Sequence, residues 1–246
     1  LRSRDFWTLE RPAPVLTRLL DLVALGTVCD VVNLTGLNRA LVVQGLKVLA
    51  KRANTGLRAL ADVAGLNETP GSYHLGFVLG PRINAGGRIG DSGIGATLLR
   101  SDDDAESAAL ATKLDILNAE RKQIEADVFS DALEHAYRLA ENNVVTVVAG
   151  DGWHPGVVGI VASRLVERFG KPACVIAMGD KLGTGSGRSI PGIDLGAAII
   201  AARQSGHLIK GGGHAMAAGF SVSRDGLSEF NAFVQERIKS QTGEGP

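Results

Sequence analysis

Apolar residues recur at helical spacing through the first 140 positions and gather into strand-like runs after them. Leu16, Leu19, Leu20 and Val23 repeat every three to four residues, with Pro12 and Pro14 near the start, where proline is tolerated. This predicts a helix that Gly26-Thr27 breaks, delivering Asp30 between Val28, Cys29, Val31 and Val32. Residues 37–51 and 56–65 read as two amphipathic packing helices, carried by Leu37, Leu41, Leu46, Val48 and Leu49 and then by Leu57, Leu60 and Val63, with Gly65 as the stop. Tyr73–Gly80 reads as a further short helix with a structural His74, and Pro81–Gly90 as a loop. Ser101-Asp102-Asp103-Asp104 opens the longest helix, its acids complementing the helix dipole rather than binding metal. Leu110, Leu114, Leu117, Ile124, Val128, Ala132, Ala136 and Leu139 continue it for nearly ten turns, about 50 Å, long enough to tie two domains at a fixed separation. On it, Arg121 and Lys122 are expected to face a groove and Glu120 and Glu125 to face solvent, and Glu141-Asn142-Asn143 is its end.

The second half alternates. Val144–Ala149 is a buried strand, Asp151–Gly156 a strand-to-helix turn, 157–169 an amphipathic helix closed by Gly170, and Cys174–Met178 a second strand, together a βαβ-type unit. Asp194 caps a helix over 195–204, a strand lies near Phe220–Ser223, and Asp225 caps a last helix with Leu227, Phe230, Phe233, Val234 and Ile238 inward. Gln241–Pro246 reads as a frayed tail. The fold class is α/β: a mostly helical segment over 1–100, a long connecting helix over 101–142, and a compact α/β domain over 143–246.

Composition narrows the function classes. A 45% hydrophobic share builds cores and 21% charge argues against disorder across 246 residues, one large domain or two small ones. Twenty-six basic residues balance 26 acidic ones, so nucleic-acid affinity must come from local arginine placement rather than a global basic field. Cys29 and Cys174 lie far apart without metal-ligand spacing, and read as buried thiols of a reducing cytoplasm. No run approaches the roughly 18 apolar residues of a membrane span. The opening Leu-Arg-Ser-Arg-Asp-Phe-Trp is neither a signal peptide nor an initiator context, so the chain reads as an excised segment.

Thirty-two glycines, roughly double the average usage, mark where backbone approaches a ligand. In Gly211-Gly212-Gly213-His214-Ala215-Met216-Ala217-Ala218-Gly219, three glycines are expected to form a loop feeding a short helical turn whose free N–H groups suit a phosphate. His214 stands at its mouth, and the alternative is a tight turn with a capping histidine. Gly185-Ser186-Gly187-Arg188-Ser189 offers hydroxyls, bare backbone and a guanidinium; Gly80-Pro81-Arg82-Ile83-Asn84-Ala85-Gly86-Gly87-Arg88 offers Arg82, Asn84 and Arg88. Arginine suits bidentate phosphate contact, and three such loops point to a polyanion. His154, beside a helix start, contacts a phosphate or base, or satisfies a backbone carbonyl. Asp30 among apolar neighbours is costly to bury unless it is paired, caps a helix or binds a metal.

These blocks, with Leu22–Val32 and Trp153-His154-Pro155-Gly156-Val157-Val158-Gly159-Ile160, occur in the order found in the RecJ family, and the chain resembles that family over nearly its whole length. The family comprises single-strand-specific 5′→3′ exonucleases of the DHH phosphoesterase superfamily. Its Asp-His-His motif and the upstream Asp-x-Asp are absent here. The resemblance implies that 1–100 is the remnant of a DHH domain and 143–246 a DHHA1-type domain. It implies that two Mn²⁺ or Mg²⁺ ions activate water for attack on the terminal phosphodiester, and that Asp30 is one metal ligand. It further implies that Arg82, Asn84, Arg88, His154, Ser186, Arg188, Ser189, Gly212, Gly213 and His214 hold the phosphates near the 5′ end of single-stranded DNA, in a passage too narrow for a duplex. A single-stranded-DNA-binding protein and a helicase are the implied partners, with roles in DNA repair and recombination and no membrane contact. With one metal-binding carboxylate, the polypeptide alone is expected to bind metal poorly and to be inactive. The alternatives are a DHH-family enzyme for oligoribonucleotides or nucleotide phosphates, and a non-catalytic nucleic-acid-binding module like those accompanying alanyl-tRNA synthetases. A Rossmann cofactor domain is discounted, because no Gly-x-Gly-x-x-Gly follows the first strand.

Overall fold

A computed structural model describes residues 6–139 and 143–242, which divide into two compact units with the boundary between Ala119 and Glu120. The division falls inside the long helix. The first unit is helical: α1 (Leu20–Cys29), α2 (Gly36–Leu49), α3 (Thr55–Val63), a π-helical segment His74–Leu79, α4 (Gly80–Ile89), α5 (Gly93–Arg100) and the first turns of α6 (Asp104–Tyr137). Its core is built from Leu25, Leu49, Leu57, Leu60, Leu75, Leu79, Leu98 and Leu114.

Three local expectations change here. α1 runs through Gly26-Thr27 to Cys29, because the Thr27 hydroxyl donates to the Val23 carbonyl one turn back (2.7 Å) and stays inside the helix. α1 also buries Asp21, Ala24 and Leu25 rather than the Leu16–Leu19–Val23 stripe, whose members are 63, 50 and 39% exposed. The cause is small-on-small packing: Gly45 of α2 sits against the Leu20 carbonyl and the Ala24 methyl so closely that any Cβ there would overlap both. Pro81–Gly90 is the helix α4, not a loop. Pro81 occupies its second position, where no N–H is needed, while Gly80 lies against Cys29 and Gly86 against the Asp91 carbonyl. Glycines that read as helix breakers are contact points between helices.

Ser101 and Asp103 close the start of α6. The Ser101 hydroxyl accepts from the Asp103 N–H and donates to Glu106, and the Asp103 carboxylate accepts from the Glu106 N–H (2.7 Å). Residues 141 and 142 of the expected helix end, and 243–246 of the expected tail, lie outside the described residues.

The second unit holds β1 (Thr146–Asp151), α7 (Val158–Phe169), β2 (Ala173–Met178), β3 (Leu182–Arg188), α8 (Leu195–Gln204), β4 (Lys210–His214), β5 (Ala217–Ser223) and α9 (Leu227–Thr242). The strands form one sheet in the order β1-β2-β3-β5-β4, with β1 and β2 parallel and the other pairs antiparallel. Two cores flank it. Val147, Cys174, Ile176, Phe220 and Val222 pack on α8 and α9; Val148, Val175 and Ala177 pack on α7 and the end of α6. Full burial pushes the Cys174 thiol up to about 12. Among the described residues no helix is long and apolar enough to cross a membrane.

Within this unit α6 carries a buried charge cluster where solvent was expected. Glu125 is 3% exposed, accepts from Arg121 one turn before it and takes Arg164 of α7 at 2.6 Å. Arg121 is itself buried, so neither residue faces an open groove. Glu125→Ala removes the buried carboxylate that bridges Arg121 and Arg164 and leaves the two guanidinium groups facing each other, which is expected to lower stability by about 3–5 kcal/mol. Glu134→Ala, which removes an exposed pair with Arg138, should change it by no more than about 0.5 kcal/mol. Urea unfolding of the two variants checks the contrast, and similar midpoints would contradict the assignment.

Candidate nucleic-acid interface

The sheet of the second unit has one half-open face, and its register shows which residues stand on it. Arg188 of β3 and His214 of β4 both pair with Ala217 of the strand between them, and Ser186 and Gly212 both pair with Gly219. Directly paired residues share a face, so Arg188, Ser186, Thr184, Ala217, Gly219, Ser221, His214, Gly212 and Lys210 lie on one side. The alternate residues of β3 and β5 are buried on the other.

The glycines divide by face. Gly187, Gly185 and Gly183 face the core, where a Cβ would meet Leu195 at 2.7 Å, the Phe220 ring, or Ile176 at 2.6 Å. Gly212 and Gly219 face out, with nothing within 4 Å of an added Cβ and no positive φ. Neither packing nor backbone geometry demands glycine there. The pair leaves a ledge of bare main chain between Ser186 and Arg188 on one side and His214 and Lys210 on the other.

α7 covers β2 and β3 on this face and ends the ledge. A Cβ on Gly159, in its first turn, would lie 3.0 Å from the Arg188 guanidinium and 3.1 Å from the Ser186 hydroxyl. Arg188 donates to the Ser186 hydroxyl (3.0 Å) and the Gly187 carbonyl (2.8 Å), and has no carboxylate partner among the described residues. Desolvation by burial lowers its pKa from the usual arginine value. A half-buried cation at a helix N-terminus, still owed a counter-charge, suits an anionic oxygen. His154, one turn before α7, accepts from the Gly156 N–H at Nδ1 (3.0 Å); in the neutral ring Nε2 then carries the proton and can donate. Sequence reasoning passed over Thr184, Ser221, Lys210 and Gly159, although the two-residue alternation of Leu182–Arg188 carries the signal.

Two secondary-structure expectations are corrected. Gly211–Gly219 is a β-hairpin, not a glycine loop feeding a helix. Residues 215 and 216 make its turn, which the backbone N–H groups of Ser189 and Leu195 hold by donating to the Met216 and Ala215 carbonyls (3.0 and 3.1 Å). Gly185–Arg188 is strand β3. Ser189 points inward, is 5% exposed and donates its hydroxyl to the Ile193 carbonyl (2.9 Å), so it braces the turn instead of offering that hydroxyl to a ligand.

In the first unit, Asn84 and Arg88 are exposed four residues apart on α4. Arg82 turns away from that face, with Nε donating to Asp115 (2.8 Å) and Nη1 to the Val78 carbonyl (2.7 Å), tying α4 to α6. His74 accepts from the Gly71 N–H and meets Glu68 (3.0 Å), a structural role. Asp30 is exposed at the C-terminal cap of α1, and Val31 after it has φ +55°, a conformation rare for a β-branched residue. The carboxylate that is buried is Asp21, 2% exposed, which accepts from the Leu22 N–H (2.8 Å). Among the described residues no group of three or more His, Cys, Asp or Glu side chains is placed to hold a metal ion.

Burial raises the Asp21 pKa above the usual aspartate value. A raised folded-state pKa means that the folded chain takes up its proton before the unfolded chain does, so this group's contribution to stability is lost as pH rises through that pKa. Asp21→Asn is therefore expected to melt higher than wild type at pH 8, with the gap closing below about pH 4. Equal melting temperatures across that range would contradict the burial cost.

The DHHA1 domain family matches residues 141–240. The chain is 42% identical, over 97% of its length, to the single-stranded-DNA-specific exonuclease RecJ of Dickeya dadantii, and 43% identical, over 90%, to that of Escherichia coli. It spans 42% and 40% of those proteins. The crystal structure of RecJ from Thermus thermophilus in complex with Mn²⁺ matches with a TM-score of 0.82 at 33% identity, covering 95% of this chain and 34% of that one. The crystal structure of an exonuclease RecJ bound to manganese matches at 0.79 and 34% identity, covering 95% and 57%. The chain thus carries a DHHA1 match over residues 141–240 and is similar to RecJ proteins across nearly its whole length, while spanning less than half of the curated relatives named here.

Proposed function

We propose that the open sheet face of the second unit grips the phosphodiester backbone of single-stranded DNA near its 5′ end, as part of a protein that removes nucleotides in the 5′→3′ direction during repair and recombination. The observation that carries this is Arg188, a half-buried guanidinium with no carboxylate partner among the described residues, beside a ledge that Gly212 and Gly219 leave bare. Phosphate oxygens would take the free guanidinium donors and the His214 ring, with Ser186, Ser221 and the first N–H groups of α7 within the same face. The ledge has no aromatic platform and few base-reading side chains, which suits a sequence-indifferent grip on the strand. Asn84 and Arg88 offer a second set of polar donors on the first unit.

Phosphodiester hydrolysis belongs to the whole protein in this reading. The described residues do not compose a metal centre, so no bond-breaking step is assigned to them; Mn²⁺ or Mg²⁺ chemistry would need further donors. A single-stranded-DNA-binding protein and a helicase would serve as partners that coat or supply the strand, and the setting would be cytoplasmic.

Anisotropy titration of 5′-phosphorylated and 5′-hydroxyl oligothymidylate tests the grip. Arg188→Ala should weaken binding about tenfold or more, the scale of a lost charge-assisted hydrogen bond, and erase preference for the 5′-phosphate. Gly219→Val should leave the melting temperature within a degree or two while blocking the ledge. Unchanged affinity in both variants would overturn the proposal. Incubated with Mn²⁺ and labelled single-stranded DNA, this polypeptide alone should leave the strand intact; processive digestion would contradict the division of labour.

A further inference from the structure

The first unit carries a charge asymmetry that the sheet site does not absorb. Between Asp30 and Asp62 the chain has no acidic residue but five basic ones, Arg39, Lys47, Lys51, Arg52 and Arg58, in a protein of zero formal net charge. Two are neutralised from outside the stretch: Arg52 by Asp62 and Arg58 by Asp104. Arg39, Lys47 and Lys51 remain exposed, with no acidic partner among the described residues. Lys47 lies in the last turn of α2 and Lys51 in the turn that follows its C-terminal cap.

These two lysines border a groove of about 720 Å³ that Arg18 joins from the other wall. Thr17, Gln44 and the apolar Leu20, Val48 and Ala53 complete its lining, and no acid contributes. Behind it α1 and α2 meet backbone to backbone, with Gly45 against the Leu20 carbonyl. Lys47 in the last turn of α2 and Lys51 just beyond also complement that helix's dipole. The dipole accounts for neither Arg18, which comes from another segment, nor the missing acids.

We propose that this groove is a second contact surface for nucleic-acid phosphates, with Arg18, Lys47 and Lys51 as the contacting cations. The inference rests on the reading of the chain as a binder of single strands, since a strand is then the polyanion at hand. Charge complementarity selects the occupant: three convergent cations without an acid repel a basic partner and favour a phosphodiester chain. The absence of aromatic rings from the lining makes the contact electrostatic and independent of base.

The test is binding of fluorescein-labelled oligothymidylate to the whole chain across a salt series, with melting temperatures recorded. The triple variant Arg18→Glu, Lys47→Glu, Lys51→Glu is compared with Lys113→Glu, Arg138→Glu, Arg237→Glu, an equal charge change elsewhere. The groove variant should bind at least tenfold more weakly and flatten the log-affinity against log-salt slope by about 2, three single-strand phosphate contacts at roughly 0.7 each. The control variant should change the slope by much less. Equal losses in both triples mean a global charge effect and overturn the proposal. Displacement of the oligonucleotide from the groove by polyglutamate at equal charge concentration overturns it in favour of an acidic protein partner. If Arg188→Ala abolishes binding while the groove triple changes nothing, this inference alone falls. If the wild-type chain binds no oligonucleotide at low salt, both readings fall together.

Discussion

The period-two alternation of β3 and β5 is the constraint on which the binding face depends. Each outward Thr184, Ser186 or Arg188 has an inward glycine beside it, and those glycines let Leu195, Phe220 and Ile176 press against the main chain. A larger residue at Gly185 or Gly187 would push the strand off its core and tilt Arg188 away from its paired neighbours. The hairpin on the far side is fixed from the backbone as well, by the Ser189 and Leu195 N–H groups and by Gly196 lying against the His214 main chain. The polar groups of the ledge are thus held by a sheet and two helices rather than by mobile loops. Such pre-organisation reduces the entropy lost when a flexible strand is gripped.

Much of this architecture was legible in the sequence. The βαβ unit, the acid-capped long helix and the packing helices of the first unit follow from spacing and caps, and the structure has them. The errors share one cause. Glycine was read as a loop former at Gly80–Gly87, Gly185–Gly187 and Gly211–Gly213, whereas the structure uses several of these residues to bring backbones together inside helices and strands. Close approach of one main chain to another leaves no mark in a local pattern, since the partner segment lies far away in sequence. The same limit hid the burial of Glu125, whose second partner, Arg164, comes from another helix.

The candidate site was read at the level of residues more than of geometry. Arg188, Ser186, Gly212 and His214 do stand on one face of the sheet, linked through Ala217 and Gly219. Ser189 and Arg82 were selected by the same motifs, yet their donors are spent on Ile193, Asp115 and Val78 inside the protein. A motif gives the order of residue types; only strand register and helix rotation decide which of them reach outward. Asp21 and Asp30 show this on α1, where a helix that continues past Gly26 buries the first carboxylate and exposes the second.

The most direct test of the central claim is a nitrogen–proton correlation spectrum of the whole chain titrated with a 5′-phosphorylated oligothymidylate. The account predicts that the first signals to move are the Arg188 side-chain Nε–H and the backbone amides of Gly159, Gly212 and Gly219. Shifts confined to α8 and α9 on the opposite side of the sheet, with the Arg188 signal unmoved at saturation, would contradict it.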